Sequence, residues 1–201
     1  MDNSTLFLIA VLVVAFVFNF LNGYIASASL ATRRLYCCDG VNVEWEFDGT
    51  VIVPLNIGMG AIRATCVVAH QSYLGYAFRT SIQYSVPGEP YQWSAVLGAG
   101  ELGVGDTITN MISVPGSESN GAIMILCQDS AWVLYGPNAL GEWRFVQTSA
   151  VAGAQPFSAA EVEAAALTFD REGFMRFSPT DTFGNFSNNS VSKPIDPLVR
   201  G

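Results

Sequence analysis

The sequence predicts an all-β protein built from short antiparallel strands. About a dozen runs rich in β-branched and aromatic residues are separated by turn residues every 8–12 positions or so, as in sandwiches, barrels and propellers. The 201 residues include 19 Gly and 9 Pro, which supply many turns, together with 13 Phe, 7 Tyr and 4 Trp. Strands do not alternate with helical patterns, so a doubly wound α/β fold is excluded. Strand-turn-strand groups recur at roughly 40 residues, which favours propeller-like blades, partial within one chain or completed in an oligomer.

The first half of the chain contains the clearest turns. Asp39-Gly40 ends one apolar run, and Asp48-Gly49 joins the strand Val43–Phe47 to a second strand as a two-residue hairpin turn. Val43–Phe47 alternates large apolar residues with acids, which predicts one face exposed to water. Pro54 ends the next strand or places it at a sheet edge, and Pro87-Gly88 predicts a further turn.

The second half repeats the pattern with one exception. The strands Gly121–Cys127 and Ala131–Gly136 form a hairpin, and Gly173 marks another hairpin turn near the end of the domain. The exception is residues 158–167, where Ser158 and Glu161 form a capping box ahead of an alanine-rich run. We expect at most one short helix, at this position.

The apolar run Leu6–Leu21 allows three interpretations. It contains one polar residue, Asn19, and is slightly shorter than the ~20 residues that span a bilayer as a helix. The pair Asn22-Gly23 after a β-branched run favours a buried strand followed by a hairpin turn. A membrane anchor and a cleaved signal segment stay open. The expected organisation is an apolar segment and loop over residues 1–34, a propeller-like domain over 35–181 and an extended tail over 182–201.

The charge balance limits the classes of partner. The chain carries 17 acidic and 9 basic residues, a formal net charge of −8 at pH 7. A protein that binds nucleic acid by neutralising its phosphates needs the opposite balance. DNA can still pass an acidic lining without adhering to it, because the lining repels the phosphates.

The cysteines and the histidine do not indicate a metal site or a catalytic nucleophile. Four cysteines lack the spacing of a zinc site, and their adjacent or isolated positions favour reduced, buried thiols over two disulfides. The single histidine, His70, lies at the end of a strand-like run and is expected to be structural. We predict no metal and no cofactor.

Two residue sets suggest carbohydrate chemistry. Glu44 and Glu46 share one strand face, as paired carboxylates in glycosidases can, although two exposed acids on a hairpin are the more ordinary interpretation. Trp93, Trp132 and Trp143 can form a platform for sugars, although in a β protein such residues more often anchor a core or an interface. We therefore predict no catalytic residues and no enzymatic activity.

Several segments, in this order, resemble the propeller-like structural proteins of tailed bacteriophages. The resemblance covers roughly Leu35 to Val199, about four-fifths of the chain. No single motif is specific to the family, and it is their order and spacing together that support the resemblance. The motifs are CDGVNVEWEFDGT, VVAHQSYLGYAF, SIQYSVPGEPYQW, GAGELGVGDTIT, AIMILCQDSAWVLYG, VAGAQPFSA, LTFDREGFMRFSPTDTFGNF and SVSKPI.

The resemblance implies a non-enzymatic virion protein of the tail or the head-to-tail junction, of the hub or nozzle type. It implies assembly in the host cytoplasm with other virion proteins and with copies of itself, around a channel through which DNA passes. The residues expected to form turns are Asp39, Gly40, Asp48, Gly49, Pro87, Gly88 and Gly173. The residues expected to pack or to form interfaces are Trp45, Tyr91, Trp93, Trp132, Tyr135, Trp143, Phe183 and Phe186.

Two rival functions stay open. One is a β-rich binding domain held at the host membrane by the N-terminal segment. The other is a carbohydrate-binding β protein that uses the tryptophans and Glu44 or Glu46. Solubility of the full chain without detergent separates the first from the virion hypothesis, and glycan binding lost on Trp93→Ala separates the second.

Overall fold

The computed structural model describes residues 19–23, 34–58, 62–114, 121–136, 142–162, 165–171, 173–179 and 186–191. Within these ranges the chain forms sixteen β-strands and one 3₁₀ helix, Ala95–Leu97, with no α-helix. The strands form four separate four-stranded sheets, each an open meander in which every strand lies beside its neighbours in sequence. The prediction of an all-β fold of short antiparallel, blade-like sheets is confirmed.

The first sheet has the order β1-β2-β3-β4 and begins before the predicted domain boundary at residue 35. The predicted turn at Asn22-Gly23 is wrong, because Asn22 and Gly23 pair with Leu35 and Arg34 at the end of β1. The Asn-Gly pair is a local hairpin preference that the pairing with β2 overrides. Most of the run Leu6–Leu21 lies outside the described residues. The strands are Asn19–Gly23 (β1), Arg34–Cys38 (β2), Trp45–Phe47 (β3) and Ile52–Pro54 (β4).

The second sheet has the order β5-β6-β7-β8. Gln71 and Ser72 form a two-residue turn between β5 and β6, closed by the pair His70 and Tyr73. Pro87 and Gly88 form the predicted turn, since the N–H of Glu89 donates to the carbonyl of Val86 and Gly88 has φ of 74°. The strands are Cys66–His70 (β5), Tyr73–Phe78 (β6), Ser81–Tyr84 (β7) and Gly100–Gly103 (β8).

The third sheet has the order β12-β11-β10-β9. Its strand Ala122–Cys127 (β10) is buried along its whole length. This strand, AIMILC, is an unbroken apolar run, as expected of a strand covered on both faces. Gly153 allows the following chain to approach closely, because a Cβ there would meet the Cys127 carbonyl oxygen at 2.1 Å. The strands are Ile108–Val114 (β9), Ala122–Cys127 (β10), Ala131–Tyr135 (β11) and Arg144–Ser149 (β12).

The fourth sheet has the order β13-β14-β15-β16 and overturns the predicted helix over 158–167. The hydroxyl of Ser158 does not cap a helix but donates to the Gln155 and Phe169 carbonyls. Cross-strand pairing outweighs the helix propensity of the alanine-rich run. The last strand also extends the sheet beyond residue 181. The strands are Ala160–Val162 (β13), Ala165–Asp170 (β14), Gly173–Pro179 (β15) and Phe186–Ser190 (β16).

The chain divides into two compact units, one formed by residues 1–78 and 83–100 and the other by 79–82 and 101–201. In the first unit β1 lies against β5, and in the second β9 lies against β13. The first strands of consecutive sheets are therefore neighbours within each unit, which is consistent with successive blades of a propeller.

Each unit has its own core. In the first, side chains of β2 and of the segment after β4 pack on β5 and β6, with the members Tyr36, Cys38, Leu55, Ile57, Ala64, Val67, Leu74, Tyr76 and Phe78. In the second, β10 and β11 pack on β14 and β15, with members that include Met124, Leu126, Val133, Tyr135, Ala166, Met175 and Phe177.

A membrane-spanning helix was one of the open interpretations of the N-terminal run. Among the described residues, no helix has the length and apolar character needed to cross a membrane.

Candidate assembly surface

The two glutamates of the first sheet are buried, so the predicted water-exposed face of Val43–Phe47 is wrong. Glu44 is 1% exposed and Glu46 is 5% exposed. Each accepts a hydrogen bond from outside its own strand. Glu44 Oε1 accepts from the backbone N–H of Ala64 at 2.7 Å, and Glu46 Oε1 accepts from the hydroxyl of Tyr91 at 2.5 Å. Both carboxylates therefore hold distant parts of the first unit together.

Tyr91 closes the open side of Glu46. Its ring is 43% exposed, yet burial of its hydroxyl, followed by the hydrogen bond to Glu46 and the charge of Glu46, raises the pKa of Tyr91 to about 12. Burial and the Glu46 charge also raise the pKa of Tyr36, which lies opposite Glu46 across β2 and β3. The second oxygen of Glu46 is buried and accepts no hydrogen bond from the described residues. A carboxylate held in this way is a structural group that fixes the loop carrying Tyr91.

The turn between β3 and β4 is rigidly braced. Its tip is Gly49 and Thr50, one residue later than predicted, because the Asp48 N–H donates to the Val51 carbonyl. The Asp48 carboxylate accepts the N–H groups of Val51 and Thr50, and it pairs with Arg34 at 3.1 Å. These interactions hold the pKa of Asp48 below its ordinary value.

The loop after β2 is also held by an aspartate that accepts backbone hydrogen bonds. The Asp39 carboxylate accepts from the N–H of Val41, the N–H of Asn42 and the side-chain amide of Asn42. Partial burial raises the pKa of Asp39, but these hydrogen bonds together outweigh it and lower the pKa. Gly40 adopts φ of 74° there, as the predicted turn requires.

The braced hairpin presents an uncovered apolar strand at a sheet edge. Among the described strands, β4 pairs with β3 alone, and all three of its residues are exposed. Val51, Ile52 and Val53 are each about half exposed, and alternate side chains of a strand point to opposite faces. Both faces of β4 are therefore open to a partner. Natural sheet edges are protected by charged side chains, by proline or by being very short, and β4 has three residues and Pro54 but no charge.

Pro54 limits how a partner can approach this edge. The N–H of Leu55 donates to the carbonyl of Glu44, so Val53, two residues earlier, directs its backbone groups towards β3. Ile52 and Pro54 direct theirs outwards, and Pro54 has no N–H to donate. A partner can therefore form at most a short ladder at β4, and contact with its side chains must supply most of the interface.

Trp93 and Trp132 each pack on a neighbouring aromatic ring. Trp93 is half-buried, and its ring centroid lies 5.9 Å from that of Tyr76. Its indole N–H donates to the Pro90 carbonyl. Trp132 stacks on Phe145 with ring centroids 4.7 Å apart. Its indole N–H donates to the Ser130 hydroxyl, which in turn donates to the Asp106 carboxylate. Both indoles thus serve the packing role that the sequence favoured over sugar stacking.

The other predicted anchors fall into three groups. Tyr135 is buried in the core of the second unit, and the guanidinium of Arg144 lies 4.3 Å from its ring centre. Trp45 and Trp143 are half-buried. Phe183 lies outside the described residues, and Phe186 is described only through the backbone pairing of β16 with β15. Gly173, predicted to lie in a turn, instead opens β15, where it pairs with Asp170 and has φ of 108°.

The four cysteines are free and buried, as predicted. Burial raises the pKa of the Cys37 and Cys66 thiols to about 12 each, which removes thiolate character at neutral pH. His70 ends β5 and is buried, and its pKa is lowered by that burial. Within the described ranges, no three Asp, Glu, His or Cys side chains are grouped so as to hold a metal ion.

Two exposed apolar loops escaped sequence-based prediction. The 3₁₀ helix Ala95–Leu97 presents Val96, which is 93% exposed, and the loop before β13 presents Phe157, which is 68% exposed. Like β4, both lie in uncharged stretches beside Pro or Gly. That composition is the feature from which their exposure could have been suspected.

A comparison of the sequence with models of known protein families found no match, and a comparison with curated proteins found none either.

Proposed function

We propose that this protein is a non-enzymatic structural subunit of a tailed-phage virion, located in the tail or at the head-to-tail junction around the DNA channel. The observation that carries the proposal is β4, a braced and uncharged edge strand whose residues are all exposed. The exposed apolar side chains of this edge promote unwanted association of an isolated protein, whereas in an assembly a neighbouring subunit covers them.

The blade-like sheets support the same proposal. Four open meanders, with first strands adjacent inside each unit, are the parts of a propeller-like body. Such a body offers loops and edges for contact with copies of itself and with other virion proteins. The ordered resemblance of the sequence to phage propeller-like proteins names the assembly in which these contacts would form.

The charge of the chain suits a channel. A net charge of −8 repels DNA phosphates, so DNA can move past such a surface without being held. Within the described residues the carboxylates of Glu44 and Glu46 serve structural hydrogen bonds, which favours a structural role over glycoside chemistry.

Mass spectrometry of purified virus particles tests the proposal. We expect two tryptic peptides, Ala64–Arg79 from the first half and Phe145–Arg171 from the second, at equal and low molar amounts beside the tail proteins. Their absence from particles, combined with their presence in the host membrane fraction, would contradict the virion role and favour a membrane-held domain.

A pair of variants tests whether the β4 edge lies in the assembly interface. Val53→Lys places a charge on the exposed β4 edge and is expected to reduce incorporation into particles without unfolding the chain. Val151→Lys places the same charge on a loop valine that is 83% exposed, and it should be incorporated normally. Equal incorporation of both variants would remove β4 from the assembly interface.

A further inference from the structure

The first sheet has an apolar face that points away from the core of its unit. Tyr36 and Cys38 belong to the core formed with β5 and β6, so the residues that alternate with them on β2 point to the opposite side of the sheet. Directly paired residues of neighbouring antiparallel strands share a face. On β2 and β3 this outward face consists of Leu35, Cys37, Trp45 and Phe47.

The polarity of β3 is the reverse of that expected for a sheet with one face in water. Such a sheet places apolar side chains against the core and polar side chains on the solvent side. Glu46 instead shares the face of Tyr36 and is 5% exposed. Trp45 and Phe47 point away from that core. This composition indicates that a second apolar layer covers the outward face, because apolar side chains gain free energy when they leave water.

Burial across the outward face indicates where that layer lies. Cys37 is 1% exposed, and the core formed with β5 and β6 does not account for its burial because that core is on the other side of the sheet. Trp45 and Phe47 are half-buried. Ile52, which pairs with Phe47 from β4, is 55% exposed. The covering layer therefore lies over β2 and β3 and ends before β4.

The apolar segment Leu6–Phe18 is attached to the chain beside this face. Its thirteen residues include no charged or polar side chain. It continues directly into β1, where Asn19 pairs with Cys38, the neighbour of Cys37 in sequence. At about 3.3 Å per residue the segment can extend to about 43 Å, while neighbouring strands lie only about 5 Å apart. Its length and its attachment therefore allow it to cross both β2 and β3.

The position of β1 also shortens the apolar run. Because Asn19–Gly23 pairs as a strand, thirteen apolar residues remain before it. A helix that spans a bilayer needs ~20 residues, whereas apolar runs of about 10–14 are more typical of buried or interfacial segments. The covalent link to β1 keeps the segment at a high local concentration beside the outward face, which favours contact within one chain over contact with a second copy.

We propose that Leu6–Phe18 covers the outward face of its own chain by packing on Leu35, Cys37, Trp45 and Phe47. The segment then belongs to the first unit, as a second apolar layer on its first sheet. This inference does not depend on the virion role. It leaves the exposed side chains of β4 available to a neighbouring subunit.

Photocrosslinking of the full-length chain in the presence of phosphatidylcholine vesicles tests the contact. Phe47→p-benzoylphenylalanine places a photoreactive ring on the outward face, and we expect it to crosslink to residues 6–18 within the monomer. Val53→p-benzoylphenylalanine is the control, because Val53 pairs with Glu46 and lies on the other face. Tandem mass spectrometry of the digested monomer locates each bond. The proposal would be overturned if the Phe47 probe reacted with lipid or a second chain instead of 6–18, or reacted with 6–18 no more often than the Val53 probe.

Maleimide labelling of the thiols gives a second test. Val13→Asp places a charge in the middle of the segment and should accelerate labelling of Cys37 at least about 10-fold, because a charge is costly to keep in an apolar layer. Thr5→Asp places the same charge just outside the segment and should leave the rate unchanged. Cys38 faces the other core and should react at the wild-type rate in both variants. An unchanged Cys37 rate in Val13→Asp, or equal acceleration at Cys37 and Cys38, would overturn the proposal.

Discussion

Both units consist of short antiparallel strands, but the two depend on different interactions. The first unit buries two glutamates and two tyrosines beside its apolar core, and two of its polar contacts join residues 20 and 45 positions apart. The second unit centres on β10, whose six residues are all buried and apolar. Its buried polar groups are mostly hydroxyls and an amide, with Asp170 the one buried carboxylate among its described residues.

The two units are therefore sensitive to different substitutions. A buried carboxylate that loses its partner costs more than a neutral group does, because water cannot reach it. An apolar core tolerates no loss of volume without a cavity. We therefore expect the first unit to respond to changes in hydrogen bonding and pH, and the second to changes in side-chain size.

We expect the greatest loss of stability from a substitution in the core of the second unit. Phe177→Ala removes a fully buried ring from its core and should lower the free energy of unfolding by about 3–5 kcal/mol, measured by urea denaturation. Phe174→Ala on the same strand is the control, because that ring is 48% exposed, and its effect should stay below about 1 kcal/mol. Similar losses for both variants would mean that β15 does not separate a buried face from an open one.

The next effect is in the first unit. Glu44→Ala removes the acceptor of the buried Ala64 N–H and should cost about 1–3 kcal/mol in urea denaturation. Glu44→Gln keeps an oxygen at the same place and should cost clearly less. If the glutamine variant proved as unstable as the alanine variant, the charge of Glu44 rather than its hydrogen bond would stabilise the unit.

A smaller effect concerns the link from Tyr91 to Glu46. Tyr91→Phe removes the hydroxyl from a ring that is partly exposed, so the loss should be about 1 kcal/mol near neutral pH. Because the folded-state pKa is raised to about 12, the contribution of Tyr91 is fully present below the unfolded-state pKa of about 10 and is lost as pH rises towards 12.

Urea denaturation at about pH 9 and about pH 11 measures this dependence. The difference in stability between wild type and Tyr91→Phe should shrink at the higher pH. A difference that stays constant would show that Tyr91 does not titrate together with folding, contrary to its raised pKa.

The rate of thiol labelling at about pH 8 measures local opening of the protein without any substitution. The buried, raised-pKa thiols should react slowly in the native state and rapidly after unfolding. Cys37, Cys38 and Cys66 report on the first unit, and Cys127 reports on the second. Phe177→Ala should accelerate labelling of Cys127 alone. Equal acceleration at all four sites would show that the units open as one.

Part of this architecture could be predicted from local patterns. The turns at Asp39-Gly40 and Pro87-Gly88 form as expected, because positive φ at glycine and the fixed φ of proline are properties of those residues. The hairpin from β10 to β11 was equally clear, since two apolar runs flank three turn residues. Pro54 ends an edge strand for the same local reason.

Other elements depended on partners distant in sequence. Residues 160–162 carry helix-forming alanine and glutamate nearby, yet they pair with β14 as a strand. Glu44 and Glu46 alternate with apolar residues like solvent-facing acids, yet Ala64 and Tyr91 cover them. No local pattern reveals that a residue twenty or more positions away supplies a hydrogen bond.

The all-β fold class and the turns at Asp39-Gly40 and Pro87-Gly88 follow from local sequence, because backbone preferences and apolar periodicity act within a few residues. Which face of each strand is buried, and which sheet edge is left uncovered, depends on the packing of the folded chain. Burial is a property of packing between distant segments, so the carboxylates that looked exposed are buried, and the apolar β4 strand and Phe157 remain in water.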